Sequence, residues 1–174
     1  MTSLLTLDLS HNSLTEGKLM EDRWGGPLGG VLPNLTYLSL ASNKLYSVPS
    51  KLLGRFPKLR TLDLTNNDLI HYYPEFTPMV KQGLDLRYSG NILRCECSLR
   101  PVLHWLRAGE RRSSWDFATC HSPGYLSGKT VSAVREEQLV CDTSDSQGQE
   151  DYAISPDVKF REVKSASDKL EVSW

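Results

Sequence analysis

The segment LLTLDLSHNSL places Leu4, Leu7, Leu9, Asn12 and Leu14 in the order LxxLxLxxNxL. The same order returns without a gap at Leu35, Leu38, Leu40, Asn43 and Leu45, and again at Leu59, Leu62, Leu64, Asn67 and Leu69. In an extended segment successive side chains point to opposite faces, so the leucines of each LxL enter a narrow core while the residues between them line an accessible sheet. The asparagine has a structural task in this pattern. Its amide can bond backbone groups where the chain turns out of the strand, and repeated asparagines then form a buried ladder. A fourth, degenerate unit holds Leu84, Leu86, Asn91 and Leu93, with two extra residues expected ahead of its asparagine.

These segments resemble leucine-rich repeats. The resemblance implies an α/β fold: a short leucine-rich-repeat solenoid with a parallel concave sheet. Asn12, Asn43, Asn67 and Asn91 are separated by 31, 24 and 24 residues, so the first interval carries about seven residues beyond the repeat length. The excess is assigned to a protruding loop within EGKLMEDRWGGPLGG, where glycines and Pro27 disfavour a long helix. Trp24, Leu28 and Val31 are expected to pin that loop against the convex side or an edge.

On the inferred sheet Thr6, Asp8 and Ser10 face solvent, followed by Tyr37, Ser39 and Ala41, then Thr61, Asp63 and Thr65, with Asp85 and Arg87 near the last unit. Four strands at about 4.8 Å spacing make a polar, mildly acidic face roughly 20 Å across, wide enough for a peptide edge or one patch of a protein. The candidate protein-binding residues are Tyr37, Ser39, Thr61, Asp63, Asp85 and Arg87, against the plainer reading of a solvated face. Tyr37 leads because a surface aromatic joins buried area to a polar tip.

After the repeats comes NILRCECSLRPVLHWL, with Cys95 and Cys97 ahead of a short amphipathic pattern. Pro101 suits the first turn of a helix, and Leu99, Leu103 and Leu106, with Trp105 beside them, can cover the open end of the leucine stack. Then follow CHSPGYLSG from Cys120 to Gly128, and Cys141. Four cysteines permit three complete pairings, and six soft or imidazole groups in one segment (Cys95, Cys97, His104, Cys120, His121 and Cys141) also allow a zinc site in principle. This order resembles the cysteine-flanked carboxy-terminal cap of extracellular leucine-rich-repeat proteins. The resemblance implies a disulfide-bonded cap, Cys95 with Cys120 and Cys97 with Cys141, and no metal. Arg107, Arg111 and Arg112 gather near Trp115, either as a contact for an acidic partner or glycan or as a solvated cap loop.

The expected organisation is repeats over 1–94, cap over 95–141, an acidic linker over 142–155 and a partial segment over 156–174. The last, PDVKFREVKSASDKLEVSW, resembles the opening of a fibronectin type III domain, with Val158, Phe160 and Val163 in one strand and Leu170, Val172 and Trp174 alternating in a second. Two strands cannot complete a sandwich. Asn34-Leu35-Thr36 is an acceptor pattern for N-linked glycosylation.

Among 174 residues, 20 basic and 21 acidic side chains leave a net charge of -1, so no global charge favours nucleic acid or an anionic membrane. No run approaches the roughly 20 apolar residues needed to cross a bilayer, and the start lacks a secretory leader. With an oxidised cap, the chain is expected to be a piece of a longer secreted or membrane-attached precursor. Ser10 beside His11, and Asp116 near Cys120 and His121, match no nucleophile elbow or hydrolase pattern, so neither catalysis nor a cofactor is expected. The expected function is an extracellular protein-recognition module of a receptor or adhesion protein, binding a protein ligand or co-receptor. The alternative is a secreted structural or matrix-organising repeat protein.

Overall fold

A computed structural model describes residues 3–19, 30–109, 115 and 117–141. The expectations for Trp24, Leu28, Arg111, Arg112, Asp116, the linker and the partial domain lie outside the described residues. Met1–Leu139 is one compact unit; Val140–Trp174 is a second, described only at Val140 and Cys141.

Four three-residue strands, β1 (Thr6–Asp8), β2 (Tyr37–Ser39), β3 (Thr61–Asp63) and β4 (Asp85–Arg87), form a parallel sheet in the order β1-β2-β3-β4. Leu7, Leu38, Leu62 and Leu86 are register partners across it. The returning segments carry short helices: α1 (Glu16–Leu19), α2 (Ser50–Leu53) and α3 (Phe76–Lys81). Leu35, Leu38, Leu40 and Leu45 are fully buried, whereas Leu4, Leu7, Leu9 and Leu14 at the corresponding places of the first repeat are half-buried, because β1 has a strand on one side only among the described residues.

The strands end where the asparagine ladder begins. His11, Ser42 and Asn66 take left-handed φ values of 57°, 55° and 57°, and Gly90 takes the same place at 76°. Asn67 Nδ2 donates to the carbonyls of Leu40 (3.0 Å), Leu64 (3.1 Å) and Thr65 (3.2 Å), and its Oδ1 accepts from the Leu45 N–H at 3.0 Å. Asn43 repeats this on Leu9, Leu40, Ala41 and Leu14, and Asn91 on Leu64, Tyr88, Ser89 and Leu69. Asn43, Asn67 and Asn91 are buried, while Asn12 is exposed and, among the described residues, its amide reaches Leu9 and Ser10 of its own turn.

The fourth repeat corrects the sequence reading. Leu86 pairs in register with Leu62, so the inward pair of that strand is Leu86 and Tyr88, and Asn91 stands where the others do with no extra residues ahead of it. Tyr88, fully buried, fills the place held by Leu40 and Leu64. Val31 is corrected too: it is 62% exposed and pins nothing, while its neighbour Leu32 is buried and donates its N–H to the Arg55 carbonyl at 2.9 Å.

The cap closes the stack. A two-stranded parallel sheet joins β5 (Leu93–Arg94) to β6 (Cys120–Ser122), and α4 (Arg100–Arg107) opens with Pro101 in its first turn, where the missing N–H removes no helical bond. Its inward face of Val102, Leu103, Trp105 and Leu106 is buried, with Leu99 just ahead of it. Tyr72 sits at the centre of the junction, with ring centroids of Phe76, Tyr88, Trp105 and Trp115 at 6.2, 6.4, 5.8 and 6.1 Å. Trp115 stacks on Tyr88 at 5.1 Å and an interplanar angle of 16°.

Candidate protein-recognition face

The parallel register turns scattered polar residues into rows. Thr6, Tyr37, Thr61 and Asp85 are partners in one row, and Asp8, Ser39, Asp63 and Arg87 in the next. All six candidate contact residues therefore lie on β2, β3 and β4, two per strand. Tyr37 is half-buried and stands between two threonines, Thr6 and Thr61, whose side chains are shorter.

The second row has a local task. Asp8 Oδ1 accepts from the Ser10 N–H at 2.9 Å, and Asp63 Oδ1 accepts from the Thr65 N–H at 3.0 Å and its hydroxyl at 2.7 Å. Such side-chain bonds two residues ahead hold the turn toward the ladder. Hydrogen bonds from Ser10 also hold the Asp8 carboxyl below its ordinary value, so it is ionised at neutral pH. Arg87 replaces the acceptor in the fourth strand; its Nε donates to Asp85 at 3.0 Å and its guanidinium approaches Asp63 at 3.9 Å. These contacts are partly exposed and contribute less than about 1 kcal/mol each, so they set orientation more than stability. The face carries three carboxylates, Asp8, Asp63 and Asp85, against the one guanidinium of Arg87, and its charge is least compensated at the β1 end.

One candidate needs correction. Ser39 is 3% exposed, because its short side chain lies between Asp8 and Asp63 and turns its Oγ toward the Ala41 N–H at 3.4 Å. It is part of the floor and offers no contact surface. What sequence reasoning missed is the pairing of Arg87 with both aspartates, although an Asp-x-Arg strand beside a Thr-x-Asp strand places those charges within side-chain reach.

Away from the sheet, Asn34 is half-buried and its Oδ1 accepts from Lys58 Nζ at 3.0 Å. Arg107 reaches the Val134 carbonyl at 3.4 Å and Glu136 at 3.9 Å, and Arg100 meets Glu136 at 3.1 Å, so the described part of the basic cap segment is tied to the cap itself. Cys95 and Cys120 form a disulfide with Cα atoms 5.6 Å apart; Cys97 and Cys141 are also disulfide-bonded, and no described cysteine is free. The thiolates a zinc ion would need are thereby consumed, and so is Cys120 as a nucleophile. The Ser10–His11 pair is a repeat turn matched by Ala41–Ser42 and Thr65–Asn66. Disulfides of this kind persist outside the reducing cytosol, which places the repeat module in an extracellular setting. No described helix is long and apolar enough to cross a membrane. Non-reducing peptide mapping is expected to return two intramolecular disulfides, and recovery of four free thiols would contradict the cap.

Family models described as leucine-rich repeats match residues 3–22 and, in two copies, residues 33–74; with the ladder and the cysteine-flanked cap in place, the chain belongs to the leucine-rich-repeat proteins. Among curated proteins it is similar to leucine-rich repeat and fibronectin type-III domain-containing protein 4 of Rattus norvegicus, 33% identical over 151 residues, covering 82% of this chain and 21% of that protein. It is also similar to human chondroadherin-like protein, 37% identical over 95 residues, covering 55% of this chain and 12% of that one. The chain thus spans about a fifth or less of the length of these relatives. Among solved structures, human 5T4 (trophoblast glycoprotein) shares the fold at a TM-score of 0.53 and 21% identity, over 81% of this chain and 70% of that one.

Proposed function

We propose that the concave sheet is a protein-recognition face of an extracellular receptor or adhesion protein, and that its protein ligand or co-receptor presents a basic segment to it. The observation that carries this reading is the pair of rows: an aromatic flanked by small hydroxyl side chains, beside a row in which Arg87 pairs with Asp63 and Asp85 and, among the described residues, Asp8 joins no ion pair. Tyr37 supplies the desolvated anchor, Thr61 the adjacent hydrogen bonds, and Asp8, Asp63 and Asp85 the field that draws and orients a cationic partner. No step of this function requires a nucleophile, a metal or a cofactor.

The test is binding to a defined cell-surface partner. Tyr37→Ala is expected to weaken binding at least roughly tenfold, the loss of a typical interface anchor. Thr61→Lys, which places a cation beside Tyr37 and Asp85 in the first row and next to the acidic one, is expected to weaken it further and to flatten its dependence on salt. Thermal unfolding of both variants should match the parent. Unchanged binding with intact folding would remove the concave face from consideration, and matrix assembly insensitive to both substitutions would favour a structural role.

A further inference from the structure

The residues three positions ahead of the strands repeat with the same 24-residue period as the strands. Asn34, Lys58 and Gln82 precede Tyr37, Thr61 and Asp85, which are register partners. Lys58 and Gln82, with Thr36, rim an open groove of about 620 Å³ between the segments that return from β2 and β3; Leu53, Pro57 and Met79 contribute its apolar lining. The Lys58 ammonium donates to Asn34 Oδ1 at 3.0 Å, so Asn34 extends the rim by one repeat.

Asn34 follows Pro33 in a tight turn closed by the Leu35 N–H to the Leu32 carbonyl at 3.2 Å, and it begins the acceptor sequence Asn34-Leu35-Thr36. A glycan is transferred to the chain before it folds, so the folded protein must supply room for the sugar and nothing that activates the amide. The groove supplies that room, and its chemistry suits a sugar. A pyranose ring has an apolar C–H face and a polar rim. Leucine, proline and methionine side chains fit the first, and an ammonium and an amide fit the hydroxyl and acetamido oxygens of the second.

We propose that Asn34 carries an N-linked glycan whose first N-acetylglucosamine residues lie over this groove, against Leu53, Pro57 and Met79 and beneath the side chains of Lys58 and Gln82. The glycan then occupies the return side between the second and third repeats and leaves the concave rows open. The inference rests on the extracellular placement of the chain but not on the concave face being the partner site, and its test needs no partner.

The experiment uses the chain secreted from cells that carry out N-glycosylation. Intact mass and peptide mapping are expected to show a glycan on Asn34, absent in Asn34→Gln, with both proteins secreted and melting alike. Oxidation of Met79 by peroxide and acylation of Lys58 are expected to be severalfold slower in the glycosylated protein than in Asn34→Gln. Met79 decides between covering and charge effects, since its thioether carries no charge. If Asn34→Gln is not secreted, the parent treated with an N-glycosidase replaces it in the same comparison. An unmodified Asn34 in the secreted, folded parent overturns the site; a modified Asn34 with equal Met79 reactivity in both proteins overturns the seating over the groove.

Discussion

Asn67→Ala is expected to lower the unfolding free energy by about 4 kcal/mol, while the same change at Asn12 costs less than about 1 kcal/mol. The two residues occupy the same place in the repeat, and the difference lies in what shares their bonds. Asn67 is 5% exposed, so water cannot replace its amide. Its loss leaves the buried Leu45 N–H without the Oδ1 acceptor at 3.0 Å, the costliest single consequence. The carbonyls fare better. Leu40 keeps the bond from Asn43, Leu64 keeps that from Asn91, and Thr65 keeps the N–H of Ser42 at 2.9 Å. Because Asn67 and Asn91 share Leu64, the double variant Asn67→Ala/Asn91→Ala should lose more than the two single losses together, by about 1 kcal/mol. Urea denaturation of the parent, the three single variants and the double variant measures all of this. Equal losses at positions 12 and 67 would mean that the ladder is ornamental to stability.

That contrast also marks how far the amino-acid order carries. Leucine and asparagine positions were legible because each has one physical use: alternate leucines must share a core, and an amide at the strand exit must serve the backbone. The fourth repeat was misread because Leu84-Asp85-Leu86 imitates the LxL signature one strand-step early. Projecting the 24-residue interval of the asparagines from Leu62 and Leu64 onto Leu86 and Tyr88 gives the observed register, at the cost of accepting a tyrosine where a leucine was sought. The aromatic replacement is what lets the last repeat meet the cap, since Tyr88 faces Tyr72 and Trp115.

The candidate face was legible as a set of outward positions, but not as a surface. Alternation told which side chains leave the core; it carried no information on height or pairing. Ser39 points outward and is nevertheless covered, and Arg87 is a cation whose contacts with Asp85 and Asp63 remove much of its free charge. The covering of Ser39 and the Arg87–Asp63 contact arise between strands about one repeat apart in sequence, where a single strand's pattern is silent. The groove beside Asn34 is likewise a property of two neighbouring returning segments, visible only once Lys58 and Gln82 stack behind the asparagine.

Trp115→Ala is expected to cost about 5 kcal/mol, the upper end for removing a buried indole, with Trp115→Phe costing about half as much. Trp115 is 1% exposed and its stack on Tyr88 joins the cap to the last repeat, so the truncation opens a cavity where the two parts meet. The same contact sets an alkaline limit on the fold. Burial, and secondarily the neighbouring Tyr73 and Tyr72, raise the Tyr88 phenol well above its ordinary value near 10; burial raises Tyr72 as well, with Thr77 opposing it. In the unfolded chain these phenols ionise near pH 10, whereas in the folded chain they stay protonated. The unfolded state therefore binds fewer protons above that pH, and stability, fully present below it, falls as pH rises toward the folded-state values. In the parent, phenolate absorbance from Tyr72 and Tyr88 should appear together with cooperative unfolding. In Trp115→Ala, water admitted beside Tyr88 lowers its folded-state value, and the lower starting stability moves the alkaline midpoint toward neutrality. Trp115→Phe should fall between the two. A Tyr88 phenol that titrates near 10 in the folded parent would show that the indole does not seal this junction, and the cap would then have to be held chiefly by its disulfides and the inward face of α4.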